Sequence, residues 1–340
     1  MLSFRCPRCA QLVFFENSEC LRCGLALGFA VGRRTLVAFS PGTGARRCAN
    51  QRLAACNWLL DPVDPDELCL SCRLTRTRPA DSDEPALAAF ADAEAAKRRV
   101  VFQLLDLGLP VVSWAQRPGG LGYDLLSSRH ESVVTGHLDG IVSIDLAESD
   151  DPYRERVRLE MGEPYRTMLG HLRHETGHYY WTVLVEQSEG LAGFRALFGD
   201  ERADYGAAVA RHYAQGSPAG WRDEYVSAYA TMHPWEDWAE TFAHYLHIRD
   251  TVQTAAAFGM RIDGTSHELS ADPAAHLDRE PFDSIMDDWL PLTYALNAVN
   301  RSMGRDDLYP FVLSPAAVRK LTWVHRITVG HADAATRRAA

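Results

Sequence analysis

Residues 174–178 read HETGH, two histidines four positions apart with a glutamate directly after the first. On a helix, positions i and i+4 lie on one face, so the imidazoles of His174 and His178 could bind the same metal ion at about 2.1 Å. Glu175 would point to the side of that face, where its carboxylate can reach a water molecule instead of the metal. This pattern indicates metal-assisted hydrolysis, with Glu175 as the general base and acid.

The HExxH motif alone does not establish a metal site. With 13 histidines among 340 residues, the motif would arise by chance in roughly three or four such chains per hundred. The alternative is a helix that carries two histidines without a metal. The longer pattern HExxHxxGxxH does not continue here, because Trp181 and Leu184 stand where its glycine and third histidine would be. A third ligand must therefore come from another segment.

A second segment offers carboxylates at helical spacing. Residues 233–247 read HPWEDWAETFAHYLH, in which Glu236 and Glu240 are four positions apart, just behind Pro234. A His₂Glu zinc site needs one carboxylate ligand, and a second carboxylate one turn later can accept the far N–H of a ligating histidine. We therefore predict Glu236 as the third ligand and Glu240 behind it, while Glu240 or Asp237 stays open as the ligand.

The cysteines form a separate group at the start of the chain. All eight lie within the first 72 residues, and a chain without an export signal uses such a cluster for metal rather than for disulfides. They are Cys6, Cys9, Cys20, Cys23, Cys48, Cys56, Cys69 and Cys72. We expect zinc to stabilise a segment that is too small to bury much apolar surface.

The cysteine spacing predicts two Cys₄ zinc sites. The first four cysteines form CPRC and CLRC knuckles, the spacing of a zinc ribbon, and so predict one structural zinc. The second four are less regular, since seven residues separate Cys48 from Cys56 before CLSC completes the set. An interleaved grouping, for example Cys6 and Cys9 with Cys69 and Cys72, stays open.

Charge and hydropathy exclude some classes of partner. Residues 1–78 carry 11 arginines and 6 acidic residues, but two Zn²⁺ with eight thiolates would leave this module near neutral, which does not predict nucleic-acid binding. No apolar run approaches a membrane span, and MLSFRCPRC does not resemble a secretory signal. We expect a soluble, cytoplasmic protein without a membrane partner.

The segment PADSDEPAL at 79–87 predicts the domain boundary, giving a zinc-ribbon module at 1–78 and a second domain at 79–340. A helix is predicted from Pro85 to about Leu107. Strands are predicted between Tyr123 and Leu146, with a two-residue hairpin at Asp139–Gly140. The metal motif is then expected on a helix from Gly162 to Glu186, followed by mainly helical chain.

The pair HETGH and EDWAE resembles the gluzincin class of zinc peptidases. That resemblance implies that Glu236 binds zinc and that Glu240 lies behind the ligands. It extends in particular to the catalytic domain of anthrax lethal factor, in which a tyrosine seven residues before the glutamate ligand faces the site. The matching residue here is Tyr229, which the resemblance implies as a stabiliser of the tetrahedral oxyanion.

The whole chain resembles a bacterial family of zinc-binding metallopeptidases with an N-terminal zinc ribbon. The matching motifs include LAACNWL at 53–59, CLSCRLTRT at 69–77 and GEPYRT at 162–167, beside the two segments already quoted. The predicted fold is α+β, with a double zinc-ribbon module followed by a mainly helical, zincin-like metallopeptidase domain with a small sheet. One catalytic and two structural Zn²⁺ are expected.

Three functions fit these observations. The first is a zinc-dependent peptidase that acts on a peptide or protein substrate and binds a protein partner through its zinc ribbons. The second is a zinc-ribbon adaptor for a protein or nucleic acid with an inactive zincin-like body. The third is a zinc amidase that cleaves a non-peptide amide. The intact HExxH favours an active site, because an inactive body has no chemical need for Glu175.

Overall fold

The computed structural model describes most of the chain, in eight ranges. They are 2–40, 44–60, 63–129, 133–149, 167–186, 188–264, 271–273 and 282–339, with side chains described as far as residue 334. Internal contacts divide the chain into two compact units. One consists of Met1–Phe102 and Val111–Asp151, and the other of Gln103–Pro110 and Pro152–Ala340. These units are defined by contacts, whereas the predicted boundary at residue 78 separates two modules of the sequence. That boundary stays a prediction.

The first unit contains the cysteines and the strands. Its strands are β1 (Phe4–Arg5), β2 (Leu12–Val13), β3 (Leu27–Ala30), β4 (Thr35–Ala38), β5 (Arg46–Arg47), β6 (Leu59–Leu60), β7 (Thr75–Thr77), β8 (Gly122–Leu126), β9 (Gly136–Leu138) and β10 (Ile141–Asp145). Three antiparallel pairs, β1–β2, β3–β4 and β5–β6, belong to the cysteine-rich part. Helix α1 (Glu84–Asp106) follows β7.

The small sheet is mixed and has the strand order β7-β8-β10-β9. Strand β10 runs parallel to β8 and antiparallel to β9. Asp139 and Gly140 join β9 to β10 with φ values of 49° and 86°, the left-handed conformation that a two-residue hairpin turn requires at both positions. The predicted hairpin is confirmed, and with it the small sheet of the α+β fold.

Aromatic side chains form a core beneath the cysteine-rich strands. Phe15 lies 4.9 Å from Phe29 and 5.2 Å from Phe102, and Phe29 lies 5.3 Å from Trp58, measured between ring centroids. All four side chains are buried, and Phe102 belongs to α1. The expectation that zinc takes the place of a core here is therefore incomplete, because α1 supplies apolar surface that the short strands lack.

The second unit is helical within the described ranges. Its helices are α2 (Met168–Trp181), α3 (Leu191–Phe198), α4 (Tyr205–Gln215), α5 (Pro234–Ala257), α6 (Asp283–Ser302) and α7 (Pro315–Ala339). Pro234 and Pro315 are the first residues of their helices, as expected for a residue without a backbone N–H. Within the described helices, none has the combination of length and apolar character that a membrane crossing needs.

Helix α2 begins later than the sequence predicts. Thr167 has an extended backbone, and its side chain accepts a hydrogen bond from the Gly170 N–H at 2.9 Å, so it caps the helix that starts at Met168. The predicted helix from Gly162 to Glu186 is therefore wrong at Thr167, which is extended and not helical. Residues 162–166 of that prediction lie outside the described residues. Beyond Trp181 the helix continues as a π-helical turn to Glu186.

Helices α2 and α5 approach each other closely at Gly177. A Cβ atom at this position would lie 3.2 Å from Ala239 Cα and 3.3 Å from the Ala239 carbonyl oxygen, so any larger side chain would push the two backbones apart by a few tenths of an ångström. The Trp238 indole N–H donates to the Gly177 carbonyl at 2.8 Å, and Phe242 stacks on Tyr180 with ring centroids 5.6 Å apart. The HETGH segment is thus held directly against the helix that carries Glu236.

Helix α7 supports the other side of α5. The Lys320 ammonium group pairs with the Asp237 carboxylate at 2.6 Å, and both side chains are buried. Trp323 packs edge-on against Trp238 with ring centroids 6.0 Å apart. Because both contacts lie at the start of α5, they fix the part of the helix from which Glu236 and Glu240 project.

We predict that Gly177→Ala destabilises the protein. Overpacking against the Ala239 backbone costs about 1–3 kcal/mol, which exceeds the gain of up to about 1 kcal/mol in helix propensity. Chemical denaturation followed by circular dichroism measures the net loss. The matched control is Gly330→Ala in α7, where nothing lies within 4 Å of the added Cβ, so the propensity gain should stabilise it. Equal stabilisation by both substitutions would contradict the close contact.

Candidate metal centres

The first four cysteines form one cluster in the cysteine-rich part. Cys6 Sγ lies 3.7 Å from Cys23 Sγ, and Cys9 Sγ lies 3.6 Å from Cys20 Sγ. A tetrahedral zinc with bonds of about 2.3 Å separates its sulfur ligands by about 3.8 Å, so the four thiols fit this metal. The residue after each CxxC turn, Ala10 and Gly24, has a left-handed backbone conformation.

The last four cysteines form a second, more deeply buried cluster. Cys48, Cys56, Cys69 and Cys72 are each at most 1% exposed, and the ligand atoms of the four lie within 4.8 Å of one another. Cys56 Sγ is 3.7 Å from Cys69 Sγ, and the Cys69 N–H donates to Cys48 Sγ at 3.3 Å. The structure thus brings the cysteines together as two consecutive quartets rather than as an interleaved set.

A buried ion pair borders the second cluster. Glu94 and Lys97 of α1 are both 0% exposed and pair at 2.5 Å, while the second oxygen of Glu94 lies 3.7 Å from Cys72 Sγ. Burial raises the pKa of Glu94 above its usual range, although Lys97 opposes this effect. In the structure the Cys72 thiol donates to this second oxygen of Glu94.

The third cluster joins α2 to α5 in the helical unit. His174 Nε2 lies 3.0 Å from Glu236 Oε2, and His178 Nε2 lies 3.4 Å from the same oxygen. In a tetrahedral site with bonds of about 2.1 Å, ligand atoms are about 3.4 Å apart. The three side chains are buried, and the Trp235 ring packs on the His178 ring with centroids 4.2 Å apart. The donor set therefore fits zinc.

Glu240 contacts the other nitrogen of the first histidine. His174 Nδ1–H donates to Glu240 Oε1 at 2.7 Å, which leaves the Nε2 lone pair free to face a metal. Burial disfavours a charged imidazole, but the hydrogen bonds to Glu236 and Glu240 outweigh it and raise the pKa of His174 well above its usual value. Burial opposes the charge on Glu240 as well, but His174 lowers the pKa of that carboxyl to about 2.

Glu175 is placed beside this cluster with one oxygen unpaired. The residue is 6% exposed, and among the described residues its Oε2 atom is buried and has no hydrogen-bond partner. A buried carboxylate oxygen without a partner is costly. A water molecule next to a bound metal would supply that partner, so this atom also fits the metal site.

Two tyrosines border the site. The Tyr229 ring lies 5.9 Å from the His174 ring, where the lethal factor resemblance predicts a tyrosine. Tyr205 is a site residue that the sequence did not reveal, and its hydroxyl donates to Glu236 Oε1 at 2.9 Å. It lies 31 positions before Glu236 and belongs to no local motif, so only the fold brings it here.

Asp237 and a further histidine of α5, His244, both have partners away from the cluster. Asp237, which stayed open as a ligand, pairs with Lys320 and does not join the His174, His178 and Glu236 group. His244 Nδ1 lies 2.6 Å from the Tyr309 hydroxyl, and burial lowers its pKa to about 4. Among the described residues, Glu236 is the carboxylate that groups with His174 and His178.

We predict that zinc affinity at the third cluster rises with pH. The raised pKa of His174 favours a protonated imidazole in the metal-free protein, and zinc must displace that proton. At pH values below the pKa that His174 has in the folded protein, the affinity for zinc should therefore fall about tenfold for each unit of decreasing pH. Zinc titration between mildly acidic and mildly alkaline pH, with His174→Ala as the blank, measures the slope. An affinity that does not change with pH would contradict the protonated state.

Two families of known proteins match this chain. Residues 86–327 match the family described as "Putative zinc-binding metallo-peptidase", and residues 3–83 match a zinc-ribbon domain family. Similar proteins of Mycobacterium tuberculosis and Mycobacterium bovis, each named only as uncharacterized, are 51% identical over 329 residues, which is 96% of this chain and 95% of the relative. No solved structure matches, so the likeness to anthrax lethal factor stays a prediction. The chain thus belongs to this family of zinc-binding metallopeptidases and carries the zinc ribbon at its N-terminal end.

Proposed function

We propose that this protein is a zinc-dependent peptidase with a gluzincin-type site. One observation carries the proposal: His174 Nε2, His178 Nε2 and Glu236 Oε2 converge in a buried cluster beside the unpaired carboxylate oxygen of Glu175. Three protein ligands leave a fourth position for water or substrate, as in catalytic zinc sites. Bound there, Zn²⁺ would polarise the substrate carbonyl and lower the pKa of a water molecule toward about 7.

Glu175 would move the proton during hydrolysis. Its Oε2 atom accepts a proton from the attacking water and then donates it to the leaving nitrogen, so one carboxylate serves as base and acid in turn. The side chain is 6% exposed, and this burial keeps competing water away from the proton while it is held.

Tyr229 would stabilise the carbonyl oxygen that gains negative charge. Burial and the Glu236 carboxylate raise the pKa of Tyr229 well above its usual value, so the hydroxyl keeps its proton and stays a hydrogen-bond donor. A single well-placed donor of this kind contributes about 10²–10³-fold to the rate in acyl-transfer enzymes.

The two cysteine clusters would each hold a structural zinc. All eight cysteines are free thiols in the described chain, and their sulfur spacing supports closed tetrahedral sites. Free thiols reserved for metal suit a reducing compartment, so we include a cytoplasmic location in this proposal.

The metal content tests the ligand assignment. We predict about three zinc ions in the native protein, and about two in His174→Ala and in Glu236→Gln, because removal of one ligand opens the site. Elemental analysis of the purified proteins gives these numbers. The matched control is Glu186→Gln, an exposed residue at the end of the π-helical turn, which should retain all three. Full zinc content in Glu236→Gln would contradict Glu236 as a ligand.

Activity tests the role of Glu175. We predict that Glu175→Gln keeps its zinc but loses hydrolysis by about 10²–10⁴-fold, because the amide cannot accept the proton. Mass spectrometry of a peptide library, with a panel of non-peptide amides beside it, measures cleavage by both proteins. Glu186→Gln should cleave like the native protein.

Two outcomes of this assay would overturn the assignment. Undiminished cleavage by Glu175→Gln would remove the residue from the mechanism. Cleavage of the non-peptide amides alone would change the substrate class from peptides to other amides while keeping the metal chemistry.

A further inference from the structure

Tyr205 occupies a fixed position at the first residue of α4. Asp204 caps this helix by accepting from the Ala207 N–H at 2.9 Å. His233 caps α5 by accepting from the Trp235 N–H at 3.1 Å, and its other ring nitrogen donates to the Ala203 carbonyl at 3.1 Å. The hydrogen bond between His233 and Ala203 thus joins the N-termini of α4 and α5, and Tyr205 lies next to it.

The tyrosine ring is held by aromatic neighbours. It lies edge-on to the His233 ring at 5.2 Å and to the Trp235 ring at 6.3 Å, although 41% of the residue stays exposed. These contacts fix the ring, so its hydroxyl can donate to Glu236 Oε1 with little loss of side-chain freedom.

The two oxygens of Glu236 therefore have different partners. Oε2 faces the nitrogen atoms of His174 and His178, at 3.0 Å and 3.4 Å, whereas Oε1 accepts the Tyr205 hydroxyl at 2.9 Å. A hydrogen bond to a carboxylate is stronger than one between neutral groups. The bond holds the carboxylate so that only one of its oxygens faces the two histidines.

We propose that Tyr205 is a positioning residue that makes Glu236 a one-oxygen ligand of the catalytic metal. The inference rests on the metal site of the proposed function. With one lone pair of Oε1 engaged by Tyr205, binding through both oxygens is disfavoured, and a coordination position stays open for water or substrate. Groups that orient a metal ligand in this way typically contribute 10–100-fold to metal affinity.

Tyr205→Phe tests this role because it removes the hydroxyl and keeps the ring contacts. We expect zinc affinity at the His174, His178 and Glu236 site to fall about tenfold or more, measured by competition with a chelator. In protein that holds Zn²⁺ in both cysteine clusters and Co²⁺ only at this site, the visible spectrum of Co²⁺ should also weaken, because a second carboxylate oxygen would raise the coordination number. The matched control is Tyr294→Phe in α6, where the tyrosine is 62% exposed, and it should change neither readout.

Two results would overturn the inference. One is a Tyr205→Phe protein whose zinc affinity and Co²⁺ spectrum match the native protein. The other is a loss of thermal stability in metal-free Tyr205→Phe that accounts for the weaker binding, which would make the role structural. Neither readout depends on hydrolysis. A native protein that holds zinc with the help of Tyr205 but cleaves no peptide would contradict the proposed function and still support this inference.

Discussion

The close contact between α2 and α5 at Gly177 is the constraint on which the candidate active site depends. Two helices that contribute ligands to one metal must bring their backbones near each other, and here a Cβ atom at Gly177 would stand 3.2 Å from Ala239 Cα. The glycine lies between the two histidines of HETGH, and Ala239 lies between Glu236 and Glu240. The same contact that packs the helices therefore places the ligands within reach of one metal.

The candidate site buries negative charge that a bound metal ion would balance. Glu175, Glu236 and Glu240 converge on two imidazoles, and the first two carboxylates are at most 6% exposed. Buried carboxylates need counter-charge, because water no longer solvates them. A Zn²⁺ ion in the site that these side chains fit would supply that counter-charge. Metal binding and the stability of the α2–α5 contact are thus linked.

Local spacing made part of this site predictable. The four-residue separation of His174 and His178 depends only on helix geometry, and Pro234 marked the start of α5 because proline suits a first turn. The hairpin turn at Asp139–Gly140 was predictable for the same reason, since the types of its two central residues determine the backbone conformation of the turn. The prediction that α2 includes Thr167 failed because the side chain of Thr167 caps the helix that begins at Met168.

Long-range contacts could not be predicted in this way. Tyr205 reaches Glu236 from the start of α4, where the His233 ring also bonds the Ala203 carbonyl. No periodic pattern in the sequence predicts such a contact. The aromatic core of the first unit needs Phe102 from α1, which lies far along the chain from Phe15 and Phe29. The irregular spacing of Cys48 and Cys56 gave no local signal for their grouping, which depends on how the strands fold.

Diffraction from crystals of the native protein above and below the zinc absorption edge would test the central claim most directly. The account predicts three anomalous peaks, one in each cysteine quartet and one within about 2.1 Å of His174 Nε2, His178 Nε2 and Glu236 Oε2. Two peaks confined to the cysteines, or a third peak bound through Glu240 or His244 in place of Glu236, would contradict it.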